Sequence, residues 1–261
     1  MFRVISLNAN GIRAAARKGF FDWMHKQDAD VVCIQETKAQ VHQLTDEVFS
    51  PAGYHSYYED AEKKGYSGVA IYSRHKPKKI IHGYGDAEFD AEGRYIEVQL
   101  DGGINVVSLY LPSGSSKEER QVAKYRCMDT FTEHLHKIRR RRSETIICGD
   151  WNIAHTNEDI RNWKSNQKNS GFLPEERAWL DKVFGEYRFI DAFRTLPQEP
   201  HSYTWWSNRG RAWDNNVGWR IDYHVVTRGL ADKVRRTEIY RDERFSDHAP
   251  LIMDYDWPHD G

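Results

Sequence analysis

Ile146-Ile147-Cys148-Gly149-Asp150-Trp151-Asn152 is the stretch on which the reading of the chain turns. The run from Thr145 to Cys148 is apolar and β-prone, so it reads as a buried strand, and a glycine stops it one residue before a carboxylate. Asp150 and Asn152 lie two apart on extended backbone and therefore project the same way from the strand's end. A carboxylate there accepts a proton or binds a cation; an amide donates to an oxyanion and accepts from a ligand. Asp and Asn are also ordinary turn formers, so this segment alone leaves both readings open.

Other segments repeat the arrangement. Phe2 to Leu7 reads as an opening strand that ends at Asn8-Ala9-Asn10-Gly11, and Val31 to Ile34 runs straight into Gln35-Glu36. Tyr54 to Glu59 and Gly68 to Ser73 form a strand pair, and Arg94 to Leu100 with Ile104 to Leu111 a hairpin that leaves Tyr110 near its end. Arg220 to Thr227 alternates as a strand around Asp222, a carboxylate too costly to bury unpaired. Phe245-Ser246-Asp247-His248 supplies a partner just ahead of the last strand, Leu251 to Tyr255.

Helical spacing predicts one stretch from Gly11 through Met24 and a long helix over Lys117 to Arg139. In the latter, Val122, Tyr125, Met128, Phe131, Leu135 and Ile138 make the core stripe. Pro174 to Phe184 resumes helix, with proline in the first turn. The Asn- and Lys-rich segment from Asn162 to Gly171 is too polar to pack inside and reads either as a loop touching sugar and phosphate oxygens or as plain surface. The same choice stands for the loop carrying Lys63, Lys64, Gly65 and Tyr66. Trp205, Trp206 and Trp219 fall within fifteen residues, beside Ile221 and Asp222, and either fill a core or wall a pocket for something flat or apolar.

With 261 residues, 39% of them hydrophobic and no linker, one domain spanning 1–261 is expected. No apolar run approaches a membrane span and the N-terminus lacks a signal-peptide pattern, which predicts a soluble cytoplasmic protein with no membrane partner. Cys33, Cys127 and Cys148 sit in apolar patterns as free thiols. A formal net charge of −1 does not announce a nucleic-acid binder, yet phosphate contacts need only a local basic face. Arg139 to Arg142, at a helix end, reads as a solvated face.

If the groups at the strand ends converge, like charges about 4 Å apart repel by roughly 4 kcal/mol at an effective dielectric near 20, and a cation is required. Carboxylates with amides beside them and no Cys or His cluster point to magnesium or manganese over zinc. A hard metal beside amide donors, a tyrosyl hydroxyl and a histidine suggests phosphate ester chemistry.

Asn8 with Gly11, Gln35-Glu36-Thr37-Lys38, Tyr110, Gly149-Asp150-Trp151-Asn152, Trp219-Arg220-Ile221-Asp222-Tyr223 and Ser246-Asp247-His248-Ala249-Pro250 together resemble the conserved blocks of the exodeoxyribonuclease III and abasic-site endonuclease family. They run in order over nearly the whole chain. The resemblance implies an α/β four-layer αββα sandwich, two mixed β-sheets face to face with helices outside. It implies a magnesium-dependent phosphodiesterase, with manganese as substitute, that cuts double-stranded DNA 5′ to abasic sites and trims blocked 3′ ends to varying degrees. By the same resemblance Glu36 is the principal metal ligand, with Asn8 close by and Asp247 and His248 across the site. Asp150 is the general base or holds the attacking water and, with Asn152, borders the metal; Asn152 also donates to the phosphate. Tyr110 donates to a phosphate oxygen or the leaving group, and Asp222 fixes His248. Trp205, Trp219 and Ile221 wall the abasic pocket, and Asn166 and Asn169 touch the backbone. Asn10 and Ser113 depart from the family pattern, which puts in doubt a metal role at the first and a phosphate contact at the second. A monomer is expected. The chain also resembles the catabolite repression control protein, a binding relative that has lost catalytic residues, whereas Asp150, Asn152, Asp222 and Asp247 are intact here.

Overall fold

The computed structural model describes residues 1–115 and 117–258. One six-stranded sheet holds β1 (Phe2–Asn8), β2 (Val31–Gln35), β3 (His55–Glu59), β4 (Val69–Ser73), β13 (Val234–Ile239) and β14 (Leu251–Tyr255), in the order β13-β14-β1-β2-β4-β3. The other holds β5 (Lys79–His82), β6 (Tyr95–Gln99), β7 (Ile104–Tyr110), β8 (Glu144–Asp150), β9 (Ile190–Asp191) and β12 (Asp222–Val226), in the order β5-β6-β7-β8-β12-β9. A two-stranded ribbon, β10 (Trp205–Trp206) with β11 (Gly218–Trp219), stands apart.

Strands buried on both faces read as near-continuous apolar runs, and here each face has its own partner. Phe2, Val4, Val31, Cys33, Val69 and Ile71 meet Ile96, Val98, Val106, Ile146, Cys148 and Val226 between the sheets. The alternate residues of the first sheet, Ile5, Leu7, Val32 and Ile34, pack on α1 (Ile12–Arg17) and α2 (Phe20–Lys26) through Ile12, Phe20, Trp23 and Met24. Those of the second, Val107, Leu109, Ile147 and Val225, pack on α3 (Ala87–Asp90), α4 (Glu118–Arg139) and α6 (Pro174–Phe184) through Phe89, Phe131, Leu135, Trp179 and Leu180. The result is the four-layer αββα sandwich. Among the described residues, no helix is long and apolar enough to cross a membrane.

Several expectations are corrected. The stretch after Gly11 is two helices, because Gly19 takes a left-handed φ of 84° between them. Val122 is exposed, while Lys124 takes a buried place on α4. Asn162 to Gly171 contains a helical turn, α5 (Trp163–Asn166). The strand around Asp222 starts at that residue, since Arg220 turns its guanidinium onto Asp159 and Asp191 at 2.7 Å each. Arg141 reaches the buried Glu97 at 2.6 Å, so the arginine run is only partly a solvated face.

His224 of β12 is fully buried, with Nδ1 3.0 Å from the Tyr255 hydroxyl, and burial pushes its pKa down to about 3. The unfolded chain takes up this proton near pH 6.5 while the folded one refuses it. Stability linked to His224 is therefore present above about pH 6.5 and lost as pH falls toward 3, by an amount on the order of a few kcal/mol. Thermal melts followed by circular dichroism should show His224→Leu losing less Tm than the parent between pH 7 and pH 4.5; equal losses would acquit His224.

Candidate active site

Strand register assembles the site. The parallel pairing of β7 with β8 sets Tyr110 beside Asp150, and the antiparallel pairing of β8 with β12 sets Asp222 on its other side. In the facing sheet, β1 and β2 are parallel with Asn8 opposite Gln35, so Glu36 follows immediately at the same edge. Glu36 and Asn152 both hold left-handed φ, 50° and 53°, conformations that non-glycine residues adopt at a cost. Each is the turn that directs a polar group into the mouth.

The two sheets are joined there by one amide. Asn8, wholly buried, donates from Nδ2 to Glu36 Oε1 at 2.9 Å and to Asp150 Oδ2 at 2.8 Å. Its Oδ1 accepts the Asn10 backbone N–H at 2.9 Å, which fixes the amide's direction. Asn8 thus presents its nitrogen to the two carboxylates and holds them together. Gln35 repeats the tie one step deeper, donating to Ser108 Oγ at 2.9 Å.

Asp150 is 1% exposed, and burial, aided by the charge of Asp222, pushes its carboxyl up to about 7. His248 sits between these two acids, with Nδ1 2.8 Å from Asp222 Oδ2 and Nε2 3.8 Å from Asp150 Oδ2. Burial works against a charged ring, but Asp222, Asp150 and Asp247 outweigh it and raise His248 to about 10. An imidazolium has no free lone pair, so His248 serves here as a fixed positive charge. Asp247 spends both oxygens within its own surroundings: Oδ1 accepts from Asn10 Nδ2 and Ser246 Oγ, Oδ2 from Trp205 Nε1, each at 3.1 Å. Asn10 also accepts from Lys38 Nζ at 2.5 Å, and Lys38 lies 2.8 Å from Glu36 Oε2.

Glu36, Asp150 and His248 offer ligand atoms within 4.8 Å of one another. All three are candidate ligands, and a bound cation would compete with the imidazole proton, which leaves the two carboxylates as the foremost donors. A pair of oxygen donors beside amides, one at the rim and one buried, fits a hard divalent ion that keeps several waters.

Above this floor lies a cleft of about 900 Å³ lined by Glu36, Tyr110, Asp150, Asn152, Asp247 and His248 and, on one flank, by Trp205, Trp219 and Ile221. Trp205 and Trp219 pair across the ribbon, edge to face at 6.0 Å. Asn152 donates from Nδ2 to the Leu111 carbonyl at 2.8 Å. Tyr110 is sandwiched against Arg94, whose guanidinium lies 4.7 Å from its ring. Asn169 borders the cleft; Asn166 does not, and its amide closes a bond to the Asn162 carbonyl instead. Ser113 also lines the cleft and shares a hydrogen bond with Ser115 at 2.8 Å.

The model of the endonuclease/exonuclease/phosphatase family matches residues 5–248. The chain belongs to this family. An exodeoxyribonuclease of Bacillus subtilis is 38% identical over 96% of this chain and 98% of its own length. A DNA-(apurinic or apyrimidinic site) endonuclease of Dictyostelium discoideum is 34% identical, over 95% and 69%. Among solved structures, an AP endonuclease from Archaeoglobus fulgidus superposes with a TM-score of 0.88 at 27% identity, covering 98% of this chain and all of that one. Arg94, Lys124 and Glu176 support the site although no site role was expected of them from the sequence. For Lys124 the signal was there: a lysine standing one turn before the buried Cys127 and Met128.

Proposed function

We propose that this DNA repair nuclease is magnesium-dependent, with manganese as substitute, and hydrolyses duplex DNA on the 5′ side of an abasic site. It also trims blocked 3′ ends. The observation that carries this reading is Asp150, a buried carboxylate held beside a fixed imidazolium and bridged by Asn8 to Glu36.

Glu36, with Asp150 adjacent, holds the cation, which when bound neutralises phosphate charge and polarises the scissile phosphoryl. Asp150 accepts the proton of the attacking water, a task suited to a base whose pKa lies near neutrality. The new bond joins that water's oxygen to phosphorus; the bond from phosphorus to the upstream 3′ oxygen breaks. Tyr110, at the end of β7, donates to the phosphate or to the departing oxygen. His248, kept positive by Asp222, faces the charge gathering on the phosphate. Asn152 orients the phosphate from the strand's tip.

Specificity follows from the flank. A nucleotide lacking its base costs little to extrude, and a pocket walled by Trp205, Trp219 and Ile221 takes the bare sugar. Asn166 and Asn169 meet the backbone beside it. The described residues of a single chain complete the site, and the reading takes the enzyme as a monomer.

An end-labelled duplex carrying one abasic analogue tests the reading. Incision should map to the 5′ side, require magnesium and vanish in EDTA. Metal-independent cutting, or binding with no incision, would contradict it.

A further inference from the structure

Lys124 and Glu176 are each 0% exposed, and their Nζ and Oε1 lie 2.6 Å apart directly under the cleft floor. Each reaches beyond the other to backbone at the site. Lys124 Nζ donates to the carbonyl of Asn152 at 2.7 Å, and Glu176 Oε2 accepts the N–H of Gly171 at 2.7 Å and of Leu173 at 3.1 Å. Gln121, which lines the cleft, donates to the same carboxylate at 3.0 Å. Two of the three gripped residues hold left-handed backbone, Asn152 at φ 53° and Gly171 at φ 91°. Two residues beyond Asn152 the chain is tied to the same loop, since Ala154 N–H donates to the Gly171 carbonyl at 2.8 Å.

We propose that Lys124 and Glu176 are a positioning pair for catalysis: Lys124 sets Asn152 against the scissile phosphate, and Glu176 sets the 169–171 segment against the DNA backbone. Neither touches substrate. The inference rests on the role given above to Asn152 and Asn169.

Stability alone gives a poor reason for such a pair. Burying two charges gains little over a well-packed apolar pair of similar volume, whereas removing one partner strands the other. What an apolar pair cannot do is hold a carbonyl and an amide N–H at fixed points. Burial also lowers the lysine's pKa, and Glu176 opposes that, so the ammonium's three donors depend on the acid beside it. With Lys124 shared between Glu176 and Asn152, a shift of either helix, α4 or α6, is transmitted to the phosphate-facing turn.

The two halves predict different kinetic signatures. Lys124→Met removes the donor to Asn152 but leaves Glu176 its backbone and Gln121 donors, so kcat should fall roughly tenfold to 100-fold with KM within about twofold, as displacements near 1 Å do. The double variant Lys124→Met/Glu176→Leu replaces both charges with apolar volume and should fold. It should show the same loss of kcat together with a rise in KM for DNA, and faster amide exchange over 169–173 by mass spectrometry. Asn152→Ala is the control. If it loses activity while the double variant, folded by circular dichroism, keeps parental kcat and KM, the pair is merely structural and the proposal is overturned. If Asn152→Ala itself keeps full activity, the reading of the site fails and takes this inference with it.

Discussion

Asp150→Asn should lower turnover by about 100-fold or more while leaving DNA affinity within a few-fold of the parent. The substitution keeps size and shape at a position that is 1% exposed, gives up one of the two hydrogen bonds accepted from Asn8 and the Asn152 N–H, and removes the ability to accept the water's proton and to charge the metal site. The loss should therefore fall on kcat. Unchanged turnover would remove Asp150 from the mechanism. The parent enzyme carries a companion signature. Burial and the charge of Asp222 favour the protonated carboxyl, so turnover should drop on acidification as the base is lost. A cation near the same carboxylate favours the ionised form, so this acid limb should move to lower pH as magnesium is raised. A limb that ignores magnesium would separate the base from the metal.

The second large effect belongs to Glu36. It is more exposed than Asp150, held by Asn8 on one side and by Lys38 Nζ at 2.8 Å on the other, and backbone at φ 50° aims it inward. Loss of a partner outside a coordination sphere already costs about tenfold to 100-fold in metal affinity. Glu36→Gln, which deletes charge within the sphere, should raise the magnesium concentration for half-maximal activity by about 100-fold or more. High magnesium should restore a large part of the activity. Titration of activity with magnesium checks this; an unshifted midpoint would show that the ion is held elsewhere.

How far the sequence foretold this can be argued residue by residue. Asp150, Glu36 and Asn8 were legible because each closes an apolar run at the point where a strand must end, and the interruption repeats across the chain. The core strands were legible for the same reason. The edge strands β5 and β13, with the sequences KIIH and VRRTEI, were not, since an edge strand is half-exposed and charged by need and so loses the apolar signal. The break at Gly19 was hidden because the apolar residues keep helical spacing on both sides of it. Val122 misled because it is apolar but lies off the face that α4 turns inward, a face completed by Lys124 and His134. The direction of the Asn8 amide was beyond sequence altogether: its oxygen is claimed by the Asn10 N–H, a contact that only the turn's geometry creates. That Asn166 stands beside the cleft and not in its lining was equally hidden, because one turn of α5 closes its amide onto the Asn162 carbonyl.

Residues far apart in the chain gather at one cleft, and diffraction from crystals soaked in manganese tests most directly whether they hold a hard divalent ion. An anomalous peak within coordination distance of Glu36 and beside Asp150, with His248 outside its sphere and hydrogen-bonded to Asp222, is the result the account predicts. No peak in the cleft, or a peak ligated by His248 with Glu36 turned away, would contradict it.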